Sequence, residues 1–589
     1  MNFFKNVLAS TLGVIVATLI LSSFFLIIIA GIASFISSEN GSFESITEGS
    51  ILSLDLNLPI VENPPSIQKF QKSLGLKEDI IDIQTILNSI KIANHDDRIK
   101  GISINSGMLQ AGWAQTKTIR DALKRFKESG KFIYSFSDFY TQKGYYLASI
   151  ADSIFINTLG GIELKGLASE VLYYKDFQDK YGFKMEVVRN GKYKSAVEPY
   201  LENTMSKENR IQLKTLIEDY WSIISSEISN DRGIAIDKIN SIAENIEAST
   251  SRIAIKLKLI DKDLYLDDYI NSLRNAAKID SIIDLDRITA DRLVGLVPLY
   301  KKGVRDLIAI IYAQGTILYG EGSHTSIGQD VFVDAIEEAS NDKRIKAIVL
   351  RINSPGGSAI TSDIIWNSIE KAKLKKPIVV SMGDVAASGG YYIACNANKI
   401  IANPFTVTGS IGVFAVLPNI AKVSESLGIN AQHVTTHKNA LGYSVFEEIS
   451  PGFKKSIKEG IMDIYSTFKN KVSKGRNIPI ETVEEIAQGR IWTGGQALEN
   501  GLIDQLGSLD DALAAAAELS KIEDYNIATY PRIEPNIENI LKIDFPLSAL
   551  KLNRVKNMNE GLQYLLDEFT DLNNGIKYQA QLPFSIKID

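Results

Sequence analysis

The sequence predicts an α/β protein made of two tandem homologous domains that follow an apolar N-terminal segment. Three observations support this prediction: short β-rich runs alternate with helical runs, one set of residues recurs along the chain, and residues 7–35 are overwhelmingly apolar. Strands that alternate with helices form βαβ units and a mostly parallel sheet. Binding and catalytic sites in such sheets form outside the carboxyl ends of the strands, so we expect the functional residues there.

The N-terminal segment is the first predicted element. After Lys5 no charged residue occurs before Glu39, and the apolar run exceeds the ~20 residues that span a bilayer. A cleavable signal peptide is the alternative, but its apolar region is only ~7–15 residues long. We therefore expect an uncleaved transmembrane helix, with a cytoplasmic N-terminus favoured by Lys5. Residues 1–45 would comprise this N-terminus, the anchor and a polar linker.

Composition excludes several functional classes. The net charge of −6 shows no basic excess, so we expect no nucleic-acid partner. The single cysteine, Cys395, excludes an intramolecular disulfide framework and a multi-cysteine metal site. Its apolar surroundings predict a small buried hydrophobic residue.

A repeat defines the two domains. Residues 98–102 match residues 344–348, and Gly144-Tyr145-Tyr146 matches Gly390-Tyr391-Tyr392 at the same separation, 390 − 144 = 246. Chance does not keep one register across so many positions, so the copies are homologous. The predicted divisions are a first domain over 46–290, a second domain over 296–530 and a C-terminal tail over 531–589.

Within the second copy the elements follow in order. The predicted strands are Ile308–Tyr312, Ile345–Ile352 and Ile378–Met382, and the predicted helices are Val331–Ala339, Ser362–Leu374, Ile457–Val472, Ile480–Gln488 and Leu509–Leu519. In the tail we expect amphipathic helices at 537–542 and 562–569 and an edge strand at 582–588.

Ser388 stands among small residues, between Ala387 and Gly389-Gly390, where a predicted strand gives way to a helical segment from Tyr391. Small residues let a substrate approach the backbone closely, and a helix N-terminus favours a developing anion. Ser388 is therefore either a nucleophile or a helix N-cap. The local pattern alone leaves both alternatives open.

The first copy lacks the features that surround Ser388. Three features of the second copy are replaced by other residue types in the first copy, and one lysine of the first copy is replaced in the second. The aligned residues are Gln142 for Ser388, Leu109-Gln110-Ala111 for Pro355-Gly356-Gly357, Leu164 for Ser410, and Ala440 for Lys194. One copy carries the serine and the other a lysine, which indicates a site shared between the domains.

A serine nucleophile needs a base. The four histidines, which have no distinctive setting, are His95, His324, His433 and His437. Lys194 could serve if burial lowered its pKa from ~10.4 towards neutrality, which an ion pair with Glu198 would oppose. Lys438 and Lys192 are the alternative bases.

Four motifs together resemble the long-form signal peptide peptidase A family. They are Gly383-Asp384-Val385-Ala386-Ala387-Ser388-Gly389-Gly390-Tyr391-Tyr392, Asn353-Ser354-Pro355-Gly356-Gly357-Ser358, Thr408-Gly409-Ser410-Ile411-Gly412-Val413 and Gly191-Lys192-Tyr193-Lys194-Ser195-Ala196-Val197-Glu198-Pro199. The resemblance covers the anchor, both domains and their order. It implies a membrane-anchored bacterial serine protease with tandem ClpP/crotonase-like domains and a Ser/Lys dyad.

The resemblance also implies roles for individual residues. Ser388 would be the nucleophile, Lys194 the general base, and Ser410 the residue that orients the lysine amine. The backbone N–H groups of Gly389 and Gly357 would form the oxyanion hole. No metal or cofactor is implied.

Partners and location follow from the same resemblance. The substrates would be hydrophobic signal-peptide remnants, and the protein would assemble as a homotetramer. It would be a single-pass protein of the bacterial inner membrane with its catalytic domains on the periplasmic side. Two alternatives remain: a crotonase-fold acyl-CoA enzyme, and a non-catalytic membrane scaffold of the same fold, against which the intact Ser388, Lys194 and Ser410 argue.

Overall fold

A computed structural model describes residues 45–64, 80–280, 285–323, 325–532 and 579–581, with a few residues between 5 and 23. The predicted anchor lies largely outside these residues, and the predicted tail helices and edge strand lie wholly outside them. Among the described residues, no helix is both long enough and apolar enough to cross a membrane.

The first domain is built around a parallel sheet. Its strands are β1 (Ser50–Asp55), β2 (Ile60–Val61), β3 (Ile81–Asp82), β4 (Ile99–Asn105), β5 (Phe132–Ser137), β6 (Ser153–Ile156), β7 (Lys184–Asn190), β8 (Lys262–Asp263) and β9 (Arg287–Thr289). Its helices are α1 (Ile83–His95), α2 (Trp113–Lys127), α3 (Gln142–Ala148), α4 (Lys175–Tyr181), α5 (Glu198–Leu201), α6 (Lys207–Arg232), α7 (Ile236–Asn245), α8 (Ser251–Lys256), α9 (Leu266–Ala276) and α10 (Ala290–Leu296). The six-stranded sheet has the order β8-β6-β5-β4-β1-β9.

The second domain repeats this plan. Its strands are β10 (Leu307–Gln314), β11 (Thr316–Leu318), β12 (Gly322–Ser323), β13 (Ser326–Gly328), β14 (Ile345–Ser354), β15 (Gly356–Ser358), β16 (Ile378–Ala387), β17 (Lys399–Ala402), β18 (Val407–Gly409), β19 (Val413–Asn419), β20 (Ile491–Thr493), β21 (Gln505–Leu506) and β22 (Asn526–Tyr530), and β23 (Gln579–Gln581) follows in the tail. Its helices are α11 (Gln329–Asn341), α12 (Ala359–Lys373), α13 (Gly389–Ala394), α14 (Ala421–Ser426), α15 (Pro451–Arg476), α16 (Ile480–Ile486), α17 (Gly494–Glu499) and α18 (Leu509–Ser520). The main sheet has the order β20-β18-β16-β14-β10-β22.

Burial on both faces explains the apolar runs of the central strands. In β10, Ile308 and Ile310 pack with Leu513 of α18, whereas the alternating Ile311 belongs to the core on the opposite face. Parallel strands that are covered by helices on both faces have continuous apolar sequences, without the alternation of apolar and polar residues seen in strands with one exposed face. The predicted α/β class with tandem domains is therefore confirmed.

The predicted elements of the second copy are all present. Helix α15 begins six residues before its predicted start and ends four after its predicted end, and β16 continues five residues beyond the predicted end at Met382 and stops at Ala387. Gly383 and Asp384 lie where the pairing of β16 with β14 shifts register, and pairing with β18 over Val385–Ala387 carries the strand on, so sheet pairing overrides the low strand propensity of glycine and aspartate. The strand therefore leads directly into Ser388.

A third sheet joins the two domains. Strand β7 of the first domain pairs antiparallel with β19 of the second, from Asn190 opposite Val413 to Lys184 opposite Asn419. A slip of one residue would turn every side chain of β7 to the other face, so this pairing fixes the register of the two domains.

Apolar packing extends this junction. Phe405 of the second domain stacks on Trp113 with ring centroids 5.6 Å apart and meets Tyr220 edge-on at 4.8 Å. Phe405, Val407 and Ile491 belong to the same buried core as the first domain's sheet. The domains thus share one core instead of touching across a solvated surface.

Two buried charged side chains, Arg351 and Glu62, and the half-buried Asp384 lie in the same junction. Arg351 donates to both carboxylate oxygens of Glu62 at 2.9 and 3.0 Å. The Asp384 carboxylate accepts hydrogen bonds from the N–H groups of Ala114 at 2.8 Å and Gln115 at 3.4 Å, at the start of α2. Burial, and then the charge of Glu62, raise the pKa of Asp384 to about 6.

We predict that Asp384→Asn changes the pH dependence of stability. The folded protein holds the Asp384 proton up to about pH 6, but the unfolded chain releases it near ~3.9, so Asp384 costs stability as pH rises between these values. The melting temperature of the variant, relative to that of the unmodified protein, should therefore increase from pH 4 to pH 7. This increase should correspond to a gain of about 2 kcal/mol in the free energy of unfolding. Asp138→Asn, at the exposed matching position of the first domain, is the control variant. Equal pH profiles for both variants would contradict the prediction.

Candidate active site

Two serines lie side by side at the carboxyl edge of the second domain's main sheet. Strands β16 and β18 pair in parallel and end opposite each other, at Ala387 and Gly409. Ser388 and Ser410 are the next residues, and the Ser388 N–H donates to the Gly409 carbonyl at 2.8 Å. Both side chains therefore emerge at the edge where parallel sheets form sites.

The backbone of Ser388 is strained. Its φ of +55° and ψ of −115° are unusual for a residue with a side chain, and such conformations concentrate at functional sites. Although Ser388 directly precedes α13, its side chain makes no capping hydrogen bond. The helix-cap alternative is therefore wrong, and the hydroxyl is directed elsewhere.

The hydroxyl of Ser388 meets Lys194 of the first domain. Strand β7 ends four residues before Lys194, and β19 begins three residues after Ser410, so their pairing brings the lysine to the serines. The Lys194 Nζ lies 2.9 Å from Ser388 Oγ, 3.0 Å from Ser410 Oγ and 3.2 Å from the Ser410 carbonyl oxygen. The structure thus brings together all three predicted side chains.

These contacts match an uncharged amine. A neutral amine has two N–H groups and one lone pair. The N–H groups can donate to the carbonyl and hydroxyl oxygens of Ser410, and the lone pair can accept the proton of the Ser388 hydroxyl. The geometry therefore allows an uncharged Lys194 amine to accept the Ser388 proton.

Burial explains why the amine can be neutral. Lys194 is 0% exposed, and this burial lowers the pKa of its amine well below the usual lysine value. Its partners are neutral oxygen atoms, whereas the Glu198 carboxylate accepts a hydrogen bond from the Ser206 N–H at 2.5 Å. The opposing ion pair with Glu198 is thus not formed.

The wall around the lysine stem was not predicted. A Cβ atom on Gly489 would lie 2.6 Å from Lys194 Cβ, so only glycine permits this loop to pack so closely. Gly412 also lies against the stem, since a Cβ atom there would be 3.2 Å from Lys194 Cδ, and the Phe414 ring centroid is 5.8 Å from Nζ. Gly489 stands about a hundred residues after Ser388, beyond the reach of any local pattern.

The two predicted oxyanion-hole glycines also lie at this edge. Gly389 is the first residue of α13, and Gly357 lies in β15, which packs against α13. Gly357 has a φ of +152°, and a Cβ atom there would lie 2.1 Å from the Ile317 carbonyl oxygen. Both glycines of the Pro355-Gly356-Gly357 motif thus lie in a short strand.

The alternative bases lie elsewhere. Lys438 and Lys192 are exposed, as are the described histidines, His95, His433 and His437, while His324 lies outside the described residues. Cys395 is buried, as predicted, and burial raises the pKa of its thiol to about 12. Lys194 is therefore the one candidate base that the described part of the chain places at Ser388.

Comparison with known proteins places these residues in a family context. The sequence matches peptidase family S49 over residues 125–280 and 370–523, one segment in each domain. It also matches the Clp protease family over residues 301–408. The first S49 segment contains Lys194, and the second contains Ser388 and Ser410.

Relatives extend the similarity to most of the chain. Protease 4 of Haemophilus influenzae is 32% identical over 516 residues, which cover 84% of this chain and 83% of the relative. Protease 4 of Salmonella typhi is 32% identical over 547 residues, covering 89% and 87%. A protein of Enterococcus faecium, named as a signal peptide peptidase SppA, is 38% identical over 208 residues, covering 34% and 58%.

We predict that Lys194→Met stabilises the fold at neutral pH. In the unfolded chain, water solvates the charged amine of Lys194. Folding removes this solvation and provides no charged partner, which costs free energy. Methionine fills a similar volume without this cost. The free energy of unfolding should rise by about 1–2 kcal/mol in denaturant titrations at pH 7.

This gain should shrink as the pH approaches 10, because the lysine of the unfolded chain then also loses its charge. Lys192→Met, at an exposed position two residues away, should leave stability unchanged. A Lys194→Met variant less stable than the unmodified protein at pH 7 would contradict the argument.

Proposed function

The chain belongs to peptidase family S49 as a two-domain serine peptidase, and from this premise we propose that Ser388 and Lys194 cleave peptide bonds through an acyl-enzyme. The observation that carries the proposal is the 2.9 Å contact between a buried amine and a strained serine. A nucleophile within hydrogen-bond reach of an oriented base is the arrangement that covalent catalysis requires.

In the first half of the reaction, Ser388 Oγ attacks the carbonyl carbon of the peptide bond while its proton moves to neutral Lys194 Nζ. The resulting ammonium then gives this proton to the leaving nitrogen as the C–N bond breaks. Ser410 holds the amine throughout, through its hydroxyl and its carbonyl oxygen. The products of this half are a free amine and an ester on Ser388.

In the second half, water gives a proton to Lys194 and attacks the ester. The proton returns to Ser388 Oγ as the acid product leaves, so the site regains its starting state. The carbonyl oxygen becomes negative in both halves. The N–H groups of Gly389, at the start of α13, and of Gly357 are the proposed donors to this oxyanion.

We further propose that the substrates are hydrophobic signal-peptide remnants. The name of the Enterococcus faecium relative supports this substrate class. The apolar segment over residues 7–35 would hold the catalytic domains beside a membrane in which such peptides lie. We also propose that the protein is a homotetramer anchored in the bacterial inner membrane, with its two domains on the periplasmic side.

Membership of a peptidase family favours this function over both alternatives. An acyl-CoA enzyme would have no use for a serine nucleophile with an amine base. A non-catalytic scaffold would have no reason to keep a buried lysine in contact with two serines, because an uncompensated buried amine costs stability.

We predict that Ser388→Ala and Lys194→Ala each lower kcat for a synthetic signal peptide by at least about 10⁴-fold, because each removes half of the dyad. Lys438→Ala is the matched control and should retain full activity. Full activity of Ser388→Ala would refute the dyad, and loss of activity only in Lys438→Ala would assign the base to the second domain.

The pH profile provides an independent test of the base. As pH falls, Lys194 takes up a proton and can no longer accept one from Ser388. We therefore expect kcat/KM to fall with the titration of one group, whose apparent pKa lies below the usual lysine value. Lys194→Arg, which stays charged, should be inactive at every pH. A profile that does not depend on pH would argue against a titrating base.

We predict that Ser410→Ala lowers kcat about fivefold and leaves KM unchanged. The variant removes one hydrogen bond to the amine, worth about 1 kcal/mol, but keeps the carbonyl contact. Steady-state kinetics on the same peptide would measure this. An unchanged kcat would show that the carbonyl alone orients Lys194.

A further inference from the structure

A buried glutamine lies behind the loop that carries Lys194. Gln212 stands near the start of helix α6, is only 2% exposed and has no part in the chemistry described above. Its side chain reaches the two residues that flank Lys194. The Gln212 Nε2 atom lies 2.8 Å from Ser195 Oγ and 3.3 Å from the Tyr193 carbonyl oxygen. The glutamine therefore binds the lysine loop on both sides of Lys194.

The same amide group also binds the second domain. Its Oε1 atom accepts a hydrogen bond from the Ile491 N–H, in strand β20, at 3.4 Å. This strand follows the Gly489 loop that packs against the lysine stem, and the Gln488 carbonyl of that loop accepts from the Tyr193 N–H at 3.0 Å. Gln212 thus ties the lysine loop to the segment of the second domain that covers the lysine stem.

The surroundings of Gln212 favour an amide side chain. A buried backbone N–H needs an acceptor, and a buried backbone carbonyl needs a donor. The glutamine side chain offers one group of each kind, and here each faces the matching backbone group. A carboxylate would repel the Tyr193 carbonyl, and an apolar side chain would offer no partner to either backbone group. The position is therefore chemically demanding, although it lies outside the dyad.

Further hydrogen bonds connect Gln212 to the far end of the lysine loop. Its Nε2 atom lies 3.1 Å from Asn209 Oδ1, and the Asn209 N–H donates to Ser206 Oγ, which caps α6. The Ser206 N–H donates to the carboxylate of Glu198, four residues after Lys194, at 2.5 Å. The first turns of α6 therefore hold the loop at two places, beside Lys194 and beyond it.

The proposed role of Lys194 depends on the position of this loop. The lysine is 0% exposed, and its amine lies 2.9 Å from Ser388 Oγ with neutral oxygen atoms as its partners. A hydrogen bond weakens steeply with distance and angle, so a displaced loop would lose the contact with the hydroxyl. A displaced loop would also admit water, which favours the charged form of the amine.

We propose that Gln212 is a positioning residue, which holds the Lys194 loop against the second domain so that the amine stays dry and directed at Ser388. This inference rests on the proposed peptidase function. Gln212 acts through the backbone around Lys194 and not on the substrate. Ser195 and Glu198, which belong to the lysine motif but not to the dyad, contribute to the same arrangement.

The first test compares two variants of α6 on the same synthetic signal peptide. Gln212→Met keeps a flexible, unbranched side chain but has no N–H donor, so kcat should fall about 10²-fold with KM unchanged. The pH of half-maximal kcat/KM should rise by about one unit, because water that reaches Lys194 favours its charged form. Asp219→Ala is the matched control, since the half-buried Asp219 accepts a hydrogen bond from Thr493 in the same helix–strand contact. It should leave kcat and the pH profile unchanged.

Ser195→Ala is a milder variant that tests the same contact if Gln212→Met does not fold. It removes the oxygen atom closest to Gln212 Nε2 and leaves the other partners of the amide in place. The expected loss in kcat is about threefold, the equivalent of one weak hydrogen bond. The pH of half-maximal kcat/KM should rise, as in Gln212→Met, but by less.

The third test does not require activity. In denaturant titrations at pH 7, Lys194→Met removes the cost of the buried amine and should stabilise the protein. This gain should be less than about half as large in the Gln212→Met or Ser195→Ala background, where water already reaches the amine. A glutamine with a purely structural role would leave the gain the same in every background.

The outcomes separate this inference from the proposed function. An unchanged pH of half-maximal kcat/KM in the Gln212 and Ser195 variants would overturn the inference, and so would equal gains from Lys194→Met in all backgrounds. The same pH shift in Asp219→Ala would also overturn it, because any loosening of α6 would then have this effect. Activity that survives Ser388→Ala would instead refute the proposed function, and the titrations would still decide whether Gln212 keeps the amine dry.

Discussion

The burial of one lysine amine between two domains is the constraint on which this structure depends. Water would hold that amine as a cation, and the fold must exclude water from every side of it to keep it neutral. The first domain supplies Lys194 and the residues that follow it, and the second supplies Ser388, Ser410, Gly412 and Gly489. Neither domain alone encloses the amine, so the site exists only where the two meet.

Several features of the junction follow from this requirement. The pairing of β7 with β19 sets how far Lys194 extends towards the serines, and the packing of Phe405 on Trp113 holds the domains against each other. Asp384, which stands four residues before Ser388, accepts hydrogen bonds at the start of α2, so the strand that leads to Ser388 is tied to the first domain. A small shift in any of these contacts would separate amine from hydroxyl, because a hydrogen bond weakens steeply with distance and angle.

The fold class, the repeat and the three side chains that meet were predicted from the sequence. Each can be recognised from a local residue pattern or from the alignment of the two copies. The sequence did not predict the Gly489 loop, the Phe414 ring or the position of β23, since these depend on contacts between residues far apart in the chain. The length of β16 was underestimated for a related reason. Its last three residues, Val385–Ala387, are held in the strand by pairing with β18, which no local propensity reveals.

The divided site also explains why the two copies cannot replace each other. The second copy has Ala440 where the first has Lys194, and the first has Gln142 where the second has Ser388. Gln142 is itself buried and accepts hydrogen bonds from the N–H groups of Lys165 and Gly166, so the serine position of the first copy now holds its own loop in place. In the first copy this edge of the sheet is structural, and that copy contributes the proposed base Lys194, while the second copy contributes the proposed nucleophile Ser388. Separation of the domains would therefore abolish the dyad even if each domain remained folded.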